Sequence, residues 1–395
     1  MKTGIPVLMY HSVGVPNPNW IWSFLTVPYT TFESQIQFLK RRGFNSIGLQ
    51  DLYECLKSGK PKPKNSFVLT FDDGYLDNWV YAYPILEKYG FKGTIFVNPE
   101  FVDPSPHCRS TLRDVWKREI GPDDLSSFGF LSWAEIKKME QDGVMDIQSH
   151  AMTHTWYFSG PQIIDFRHPG DKYIWMDWNE APDMKWQYLF EDRSNKKPYG
   201  MPVYEYGKSL EARRFYPDPE LSEYLVDYVS SKGDKFFRNF AWRETLVSVV
   251  ENYNQKNQLQ ETYESDDEYL KRLDWELSES KRIIEANLNK KVDFLCWPGG
   301  GYNQDAINIS KKYYLATTLS SGDRQERRNV FGEDYTRIKR IGVPHIEQRG
   351  KIIYPGGRYL YYFIKEHQGA WHNRFLRRML KLFKLMDLRG RYEHT

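Results

Sequence analysis

Two adjacent aspartates, Asp72 and Asp73, follow a short apolar run and precede Gly74. The run, 66–71 (SFVLTF), has the β-branched and aromatic composition of one buried strand. Carboxylates at the end of such a strand lie where α/β enzymes place their chemistry. Because neighbouring residues on an extended backbone point to opposite sides, we expect the two aspartates to have different partners. The alternative interpretation is an Asp-Asp-Gly turn that only ends the strand.

Two histidines, His150 and His154, lie four positions apart at and just after the end of a second predicted strand, 145–150. Such a pair can converge on one metal ion from a helix or a turn, although isolated pairs are often incidental. Two histidines and one aspartate, each at or after a parallel strand, form a three-ligand site with open positions. This is the catalytic pattern for Zn²⁺ or a similar divalent ion, with water in the open position.

Strands and helices that would position these residues alternate along the chain. Thr31 and Ser132 are predicted N-caps, and Glu135 forms a capping box with Ser132. The alternation predicts βαβ units and therefore an α/β fold with a mostly parallel sheet or barrel. The predicted strands are 6–10, 44–47, 66–71, 93–97, 145–150, 292–297, 315–319 and 337–341, and the predicted helices are 31–43, 49–57, 81–89, 132–142, 266–287 and 306–312.

The alternation breaks from about 156 to 265, a polar, aromatic stretch with many Gly and Pro residues. Helical pieces are predicted near 219–229 and 243–254. So much irregular chain within one domain is typical of a functional insertion or cap. We therefore expect a catalytic domain over 1–365 that is interrupted at 156–265, followed by a tail at 366–395.

The tail interleaves apolar and basic residues over 373–391. Residues 366–395 carry seven Arg or Lys and three Asp or Glu, a net charge of +4, whereas the whole chain carries +3. A basic amphipathic helix is typical of a membrane-surface anchor. The alternative is a helix that packs on its own domain or on an oligomer partner. The net charge of the chain is too small to indicate nucleic-acid binding, so no nucleic-acid partner is expected.

Features that bear on location are few. The three cysteines are far apart and form no CxxC pair, which argues against a disulfide scaffold or a cysteine zinc site. The chain begins without the apolar stretch of a signal peptide. These features predict a cytoplasmic protein, with the tail placing it at the inner face of the cell membrane. The 16% aromatic content suits ring stacking on sugars or an aromatic core.

Three motifs resemble the polysaccharide deacetylases of carbohydrate esterase family 4: TFDDG at 70–74, SHAMTH at 149–154 and CWPGGGYN at 296–303. The opening segment, with PVLMYHSV and FESQIQFLKRRGFNSI, is similar to the subgroup that includes poly-N-acetylglucosamine deacetylases. The resemblance covers about 5–155 and 265–345. It implies a distorted (β/α) barrel and metal-dependent removal of an acetyl group from an N-acetylhexosamine, in a glycan or a lipid-linked glycan precursor.

The resemblance also implies roles for individual residues. Asp72 would be the general base, and Asp73, His150 and His154 would bind a divalent metal, Zn²⁺ first, with Co²⁺, Ni²⁺ or Mn²⁺ as alternatives. The metal would lower the pKa of water and polarise the acetamide carbonyl, which makes a poor nucleophile and a poor electrophile reactive.

The third motif would supply the oxyanion contact through the backbone N–H that matches Gly299. Trp297, Pro298 and Tyr302 of the same motif are candidate substrate contacts. This motif commonly holds an arginine that orients the base, and 294–302 contains none. Gly299 also stands where many members have an aromatic residue.

The general acid that protonates the leaving amine is either His11 or His345. His11 is favoured because it ends a predicted buried strand, whereas His345 follows a proline in a loop. Two further functions are compatible with the sequence. One is a deformylase or other amidase acting on a sugar-lipid. The other is a catalytically silent glycan-binding protein that uses the aromatic insertion as a stacking platform, namely Trp156, Trp175, Trp178 and Trp186.

Overall fold

The structure is a computed structural model, and it describes residues 4–20, 22–187, 198–233, 235–320, 328–348, 350–370 and 372–392. Its strands are β1 (Val7–Tyr10), β2 (Ser12–Gly14), β3 (Thr26–Pro28), β4 (Asn45–Ser46), β5 (Ser66–Phe71), β6 (Gly93–Val97), β7 (Met145–Ser149), β8 (Trp156–Phe166), β9 (Pro202–Lys208), β10 (Phe215–Tyr216), β11 (Thr262–Tyr263), β12 (Phe294–Leu295), β13 (Ala316–Ser320), β14 (Arg337–Gly342), β15 (Ile346–Gln348) and β16 (Lys351–Ile353). Its α-helices are α1 (Tyr29–Arg41), α2 (Leu49–Ser58), α3 (Tyr83–Tyr89), α4 (Leu112–Trp116), α5 (Trp133–Gln141), α6 (Ile174–Glu180), α7 (Pro219–Lys232), α8 (Trp242–Asn254), α9 (Asp266–Leu288), α10 (Gln304–Ser310), α11 (Gly357–His367) and α12 (Asn373–Tyr392).

Seven parallel strands form a closed barrel in the order β1-β14-β13-β12-β7-β6-β5, and β5 returns to pair with β1. The short strand β4 adds to the outer edge of β5. Helices surround the barrel, as expected when successive parallel strands are joined by helical crossovers. The predicted α/β fold with a distorted (β/α) barrel is confirmed.

The alternation of side chains along β5 separates two buried clusters. Phe67, Leu69 and Phe71 belong to the larger cluster, and Val68 belongs to the smaller one. Because side chains alternate along a strand, Thr70 shares the face of Val68. Asp72, the first residue after β5, therefore lies at the rim of the barrel. The completely buried strand before it sets the direction of its side chain.

Helix starts agree with the sequence at one predicted cap and differ at the other. Ser132 caps α5, and Glu135 closes the capping box as predicted. The N-cap prediction for Thr31 is wrong, because α1 begins at Tyr29 and Thr31 lies in its first turn. Pro28 precedes the helix, and its fixed φ and missing N–H suit a position where no intrahelical donor is needed.

Residues 156–265, which we call the interrupted region because the alternation of strands and helices breaks there, are more regular than the sequence indicates. Its helical pieces are confirmed as α7 and α8, which pack around their own apolar cluster with Phe166. The description of 156–265 as irregular chain is wrong for β8 and β9, which form an antiparallel pair. Gly160 and Pro161 lie within β8, and register shifts between Phe158 and Ile163 hide the two-residue period. The domain boundaries themselves stay a prediction.

Candidate functional site

A cavity of about 440 Å³ lies at the carboxyl-terminal rim of the barrel. The carboxyl ends of parallel strands meet at one rim, so residues far apart in sequence converge there. Its polar lining consists of His11, Asp72, Asp73, Asn98, His150, His154 and Arg340, and its aromatic lining consists of Trp22, Tyr75, Phe101, Phe130, Trp156, Trp178 and Trp297.

Asp73, His150 and His154 present one donor atom each within 4.8 Å of one another. The Asp73 Oδ1 atom lies 3.1 Å from His150 Nε2 and 3.3 Å from His154 Nε2. Burial raises the pKa of the Asp73 carboxyl, but its interactions with the two imidazoles more than offset this and hold the pKa well below its usual range. The group is therefore a carboxylate.

The backbone around these side chains is held in uncommon conformations. Asp73, Ala151 and His154 have φ values of 71°, 57° and 44°. Non-glycine residues rarely adopt positive φ, and such residues persist where the surroundings determine them, often at functional sites. Asp72 and Asp73 have different partners, as predicted, although Asp73 itself does not have an extended backbone.

The chemistry of this donor set fits a divalent cation. The Nδ1 atom of His150 lies 2.9 Å from the carbonyl oxygen of Cys296. A hydrogen bond donated by Nδ1–H leaves the lone pair on Nε2, which faces Asp73 and His154. Two imidazole nitrogens and one carboxylate oxygen are the ligands that catalytic zinc sites use, with the remaining position open.

A second group, Asp72, His150 and Cys296, also presents three donor atoms within the same distance. Arg340 already occupies it. Its Nη2 atom lies 2.9 Å from Asp72 Oδ2 and 2.9 Å from Cys296 Sγ. Burial raises the pKa of the Cys296 thiol well above its usual value, so the thiol keeps its proton. A cation beside a guanidinium and a thiol is disfavoured, and the Asp73 group is the better metal site.

Asp72 makes a bidentate ion pair with Arg340, at 2.6 Å to Nη1 and 2.9 Å to Nη2. Both side chains are buried. Burial raises the pKa of Asp72, but the charges of Arg340, His11 and His150 outweigh it, so the pKa lies below its usual value. Asp72 is an ionised carboxylate next to the Asp73 group, and its partner is a guanidinium rather than the two histidines.

The two candidate acids differ in position. His11 lines the cavity, and its Nε2 atom lies 3.9 Å from Asp72 Oδ2. His345 is exposed, contacts the ring of Tyr354 and is absent from the described lining of the cavity. Of the two candidates, His11 alone lies among the described lining residues of the cavity that contains Asp72.

Residues of the third motif divide between the cavity and its support. Trp297 and Gly299 line the cavity, whereas Pro298 and Tyr302 do not appear among its described lining residues. Tyr302 packs on Trp297, and its hydroxyl accepts a hydrogen bond from Arg337.

The loop at Gly299 is held from outside the barrel. Gly299 has a φ of 54°, and its carbonyl accepts a hydrogen bond of 2.5 Å from Lys208 Nζ at the end of β9. A side chain at Gly301 would clash with Lys208. Lys208, from the interrupted region, therefore occupies the space that larger residues in this motif would fill.

Arg340 is the main functional residue that sequence reasoning missed. The expected arginine is absent from 294–302 and comes instead from β14, which β13 separates from β12 in the barrel. A signal was present in the predicted strand 337–341, because a period of two places Arg340 on the same face as Ile338. A charged residue on an apolar strand face indicates a buried partner.

Comparisons with known proteins identify similar sequences and a similar fold. Residues 59–182 match the family model for polysaccharide deacetylase. The polysaccharide deacetylase-like protein YxkH of Bacillus subtilis (strain 168) is 30% identical over 150 residues, 38% of this chain and 43% of that protein. The poly-β-1,6-N-acetyl-D-glucosamine N-deacetylase of Staphylococcus aureus (strain MRSA252) is 25% identical over 285 residues, 63% of this chain and 84% of that protein.

A solved structure shares the fold. The de-N-acetylase from Aggregatibacter actinomycetemcomitans superposes with a TM-score of 0.51 at 20% identity, covering 85% of this chain and 94% of that chain. The chain spans less than half the length of the Bacillus relative, whose aligned share is 43%. Residues 59–182 therefore match a polysaccharide deacetylase domain, and the barrel has the fold of the solved de-N-acetylase.

Proposed function

We propose that the protein is a metal-dependent carbohydrate N-deacetylase that removes the acetyl group from an N-acetylhexosamine. The observation that carries the proposal is the separation of the two aspartates. Asp73 faces His150 and His154, while Asp72 is held beside them by Arg340 and has no place in that ligand set. This leaves one ionised carboxylate available to take a proton.

The residues of the chain would divide the reaction among them. A divalent cation, of which Zn²⁺ suits the donor set best, would supply polarisation of the acyl carbonyl and a more acidic water when bound by Asp73, His150 and His154. Asp72 would take a proton from the attacking water. The N–H of Gly299 would donate to the carbonyl oxygen as it gains negative charge. His11 would give a proton to the nitrogen as the C–N bond breaks, releasing acetate and an amine.

The shape of the cavity supports a sugar substrate of limited length. Its volume of about 440 Å³ is in the range of small-ligand sites, so it suits one or two sugar units. Trp156 and Trp178 of the interrupted region form part of its wall, and aromatic faces suit the apolar faces of sugar rings. Relatives described as poly-β-1,6-N-acetyl-D-glucosamine N-deacetylases support the same substrate class. We propose the end of a glycan, free or lipid-linked, as the substrate.

Acetate release tests the proposal directly. The purified chain is incubated with β-linked N-acetylglucosamine oligomers and with their N-formyl analogues, with and without a chelator, and acetate and formate are measured. The proposal predicts acetate release that the chelator abolishes and added Zn²⁺ restores. Formate release alone would replace the proposal by a deformylase. Sugar binding without release of either acid would indicate a silent glycan-binding protein.

We also propose that α12 places the enzyme on an anionic membrane surface. Phe375 and Leu382 are 67% and 56% exposed, and Arg374, Arg378 and Lys381 lie exposed on the same helix. Arg377 pairs with Glu366 of α11 and so fixes the helix on the domain. Exposed apolar side chains next to cations complement a surface of anionic lipid. No described helix has both the length and the apolar composition to cross a bilayer. The cytoplasmic location stays a prediction.

Vesicle binding tests the membrane proposal. The double variant Phe375→Ser/Leu382→Ser removes exposed apolar groups and keeps the contact of Arg377 with Glu366. We expect the full chain to sediment with vesicles of phosphatidylglycerol and phosphatidylcholine, and the variant to stay in the supernatant. Equal sedimentation of both proteins, or none by the full chain, would contradict the proposal.

A further inference from the structure

A buried cluster of charged side chains holds the turn between His150 and His154. Glu276 of α9 is completely buried. Its Oε2 atom accepts hydrogen bonds from the backbone N–H groups of Met152, at 3.2 Å, and Thr153, at 3.0 Å. The Thr153 hydroxyl donates to the other carboxylate oxygen, Oε1. One carboxylate therefore fixes three donors in the three-residue segment between the two histidines.

The same turn is held from the opposite side by the interrupted region. Lys185, in the short 3₁₀-helix Pro182–Gln187, is only 1% exposed. Its Nζ atom donates to the carbonyl oxygen of Thr153 at 2.7 Å and pairs with Glu100, which follows β6. A buried lysine is costly unless it is paired and hydrogen-bonded, so its position is closely determined.

Thr153 thus has its N–H, hydroxyl and carbonyl oxygen all bound, and its neighbour in sequence is His154. His154 has a φ of 44°, a conformation that its own side chain does not favour. The direction of the His154 ring toward Asp73 depends on that backbone conformation. Fixing Thr153 from both sides is a means of maintaining it.

We propose that Lys185 and Glu276 are positioning residues for metal binding. Through Lys185, the interrupted region contributes to the metal site. The inference rests on the proposed function in its metal site, but it concerns ligand geometry rather than the reaction. Groups that orient metal ligands typically change metal affinity by about 10–100-fold when they are removed. A role in folding alone would lower stability and leave the affinity of the folded protein for zinc unchanged.

Zinc affinity, measured by competition with a chromogenic chelator, is the readout. The double variant Glu100→Gln/Lys185→Met removes the lysine without leaving Glu100 charged and unpaired in a buried position. Glu276→Gln keeps the shape of the side chain. Matched controls are Lys172→Met, an exposed lysine of the same region, and Glu279→Gln, which pairs with Arg282 on α9. We expect about 10–100-fold weaker zinc binding in Glu100→Gln/Lys185→Met and in Glu276→Gln, and wild-type affinity in the two controls. Lys185→Arg should bind zinc more tightly than the Lys185→Met double variant and less tightly than the unaltered chain.

Wild-type zinc affinity in folded Glu100→Gln/Lys185→Met and Glu276→Gln would overturn the inference. If these variants fail to fold, Thr153→Val tests the same point, because it removes the hydroxyl bonds to Glu276 and Ser209 and keeps the backbone bonds of Thr153. Zinc binding by the unaltered chain without release of acetate from any sugar would contradict the proposed function and leave the inference standing. Absence of zinc binding by the unaltered chain would overturn both.

Discussion

Asp72 and Arg340 form a buried ion pair whose members are 268 residues apart in the sequence. The guanidinium both orients the carboxylate and keeps it ionised, since burial alone would raise its pKa. Removing one member of such a pair leaves an uncompensated buried charge, which typically costs about 3–5 kcal/mol. The pair therefore contributes to stability and to the protonation state of the proposed base together.

Arg340→Met is expected to shift the pH dependence of acetate release as well as lower the rate. Without Arg340 the pKa of Asp72 rises, so a higher pH is needed to ionise the base, and the acidic limb of kcat/KM moves to higher pH. The measurement is kcat/KM against pH for the variant, the unaltered chain and the control Lys339→Met, whose side chain pairs with Glu333 on the other face of β14.

Stability separates the two effects of Arg340. The double variant Asp72→Asn/Arg340→Met should unfold at a higher temperature than Arg340→Met alone, because it leaves no unpaired charge at the position of this pair. An acidic limb at the same pH in Arg340→Met and the unaltered chain would show that Arg340 does not control the proposed base.

His11 and His345 give a matched comparison for the proposed acid. His11→Ala is expected to lower kcat by about 10²–10⁴-fold, the range for loss of a general acid, because His11 lines the cavity beside Asp72. His345→Ala should leave kcat unchanged, because His345 is exposed outside the cavity lining. Kinetics of both variants at one pH decide the matter, and the reverse order of effects would assign the role to His345.

The aspartates and histidines of the site could be predicted because each lies within a short motif at a strand end. Arg340 could not be assigned in this way, since closure of the barrel, rather than the local sequence, brings it to Asp72. The same holds for Glu276, which reaches the histidine turn from a helix that begins beyond the interrupted region. Residues that act through tertiary contacts carry little local signal.

Among the elements, those of the barrel could be predicted and those around it less well. Barrel strands such as β5 are short, apolar and bounded by turns, which gives a strong local pattern. The pair β8 and β9 carries exposed and buried residues in an interrupted order, so no single period is visible. Lys185 and Lys208 belong to that region, and their contacts with the site therefore became visible only in the folded chain.

A buried carboxyl group links three elements near the start of the chain. Asp77 is 5% exposed and bonds to Ser12 of β2, whose hydroxyl also lies 2.9 Å from the hydroxyl of Thr26 in β3. Burial raises the pKa of Asp77 from 3.8 to about 7, although hydrogen bonds from Ser12 and the backbone oppose the shift. The Ser12 hydroxyl donates to Asp77 Oδ2, and a neutral Asp77 carboxyl avoids the cost of a buried charge.

Asp77→Asn is expected to be more stable than the unaltered chain at pH 8 and not at pH 4. A carboxyl group whose pKa is higher in the folded protein stabilises the fold when the pH is below its pKa in the unfolded chain. This contribution to the free energy of unfolding is lost as the pH rises through the pKa of the folded state. The loss spans about pH 4 to 7, and a rise to about 7 from 3.8 corresponds to about 4 kcal/mol at 1.4 kcal/mol per pKa unit. Thermal unfolding of both proteins across this range checks the difference, and parallel curves would contradict it.

For the molecule as far as the structure describes it, the distant motifs meet at the barrel rim. The residues that follow β1, β5, β7 and β12 and the side chain of Arg340 on β14 all reach one cavity. The interrupted region closes part of this rim, and the exposed face of α12 provides a separate surface. The proposed sugar site and the proposed lipid-binding helix therefore lie in different parts of the chain.

The central claim is that Asp73 binds the metal and Asp72 does not. Metal content and acetate release in Asp72→Asn and Asp73→Asn test it most directly. We expect Asp72→Asn to retain one zinc ion per chain and to lose acetate release, and Asp73→Asn to lose both. Full zinc binding by Asp73→Asn, or loss of zinc from Asp72→Asn, would contradict the claim and assign the metal to the group of Asp72, His150 and Cys296.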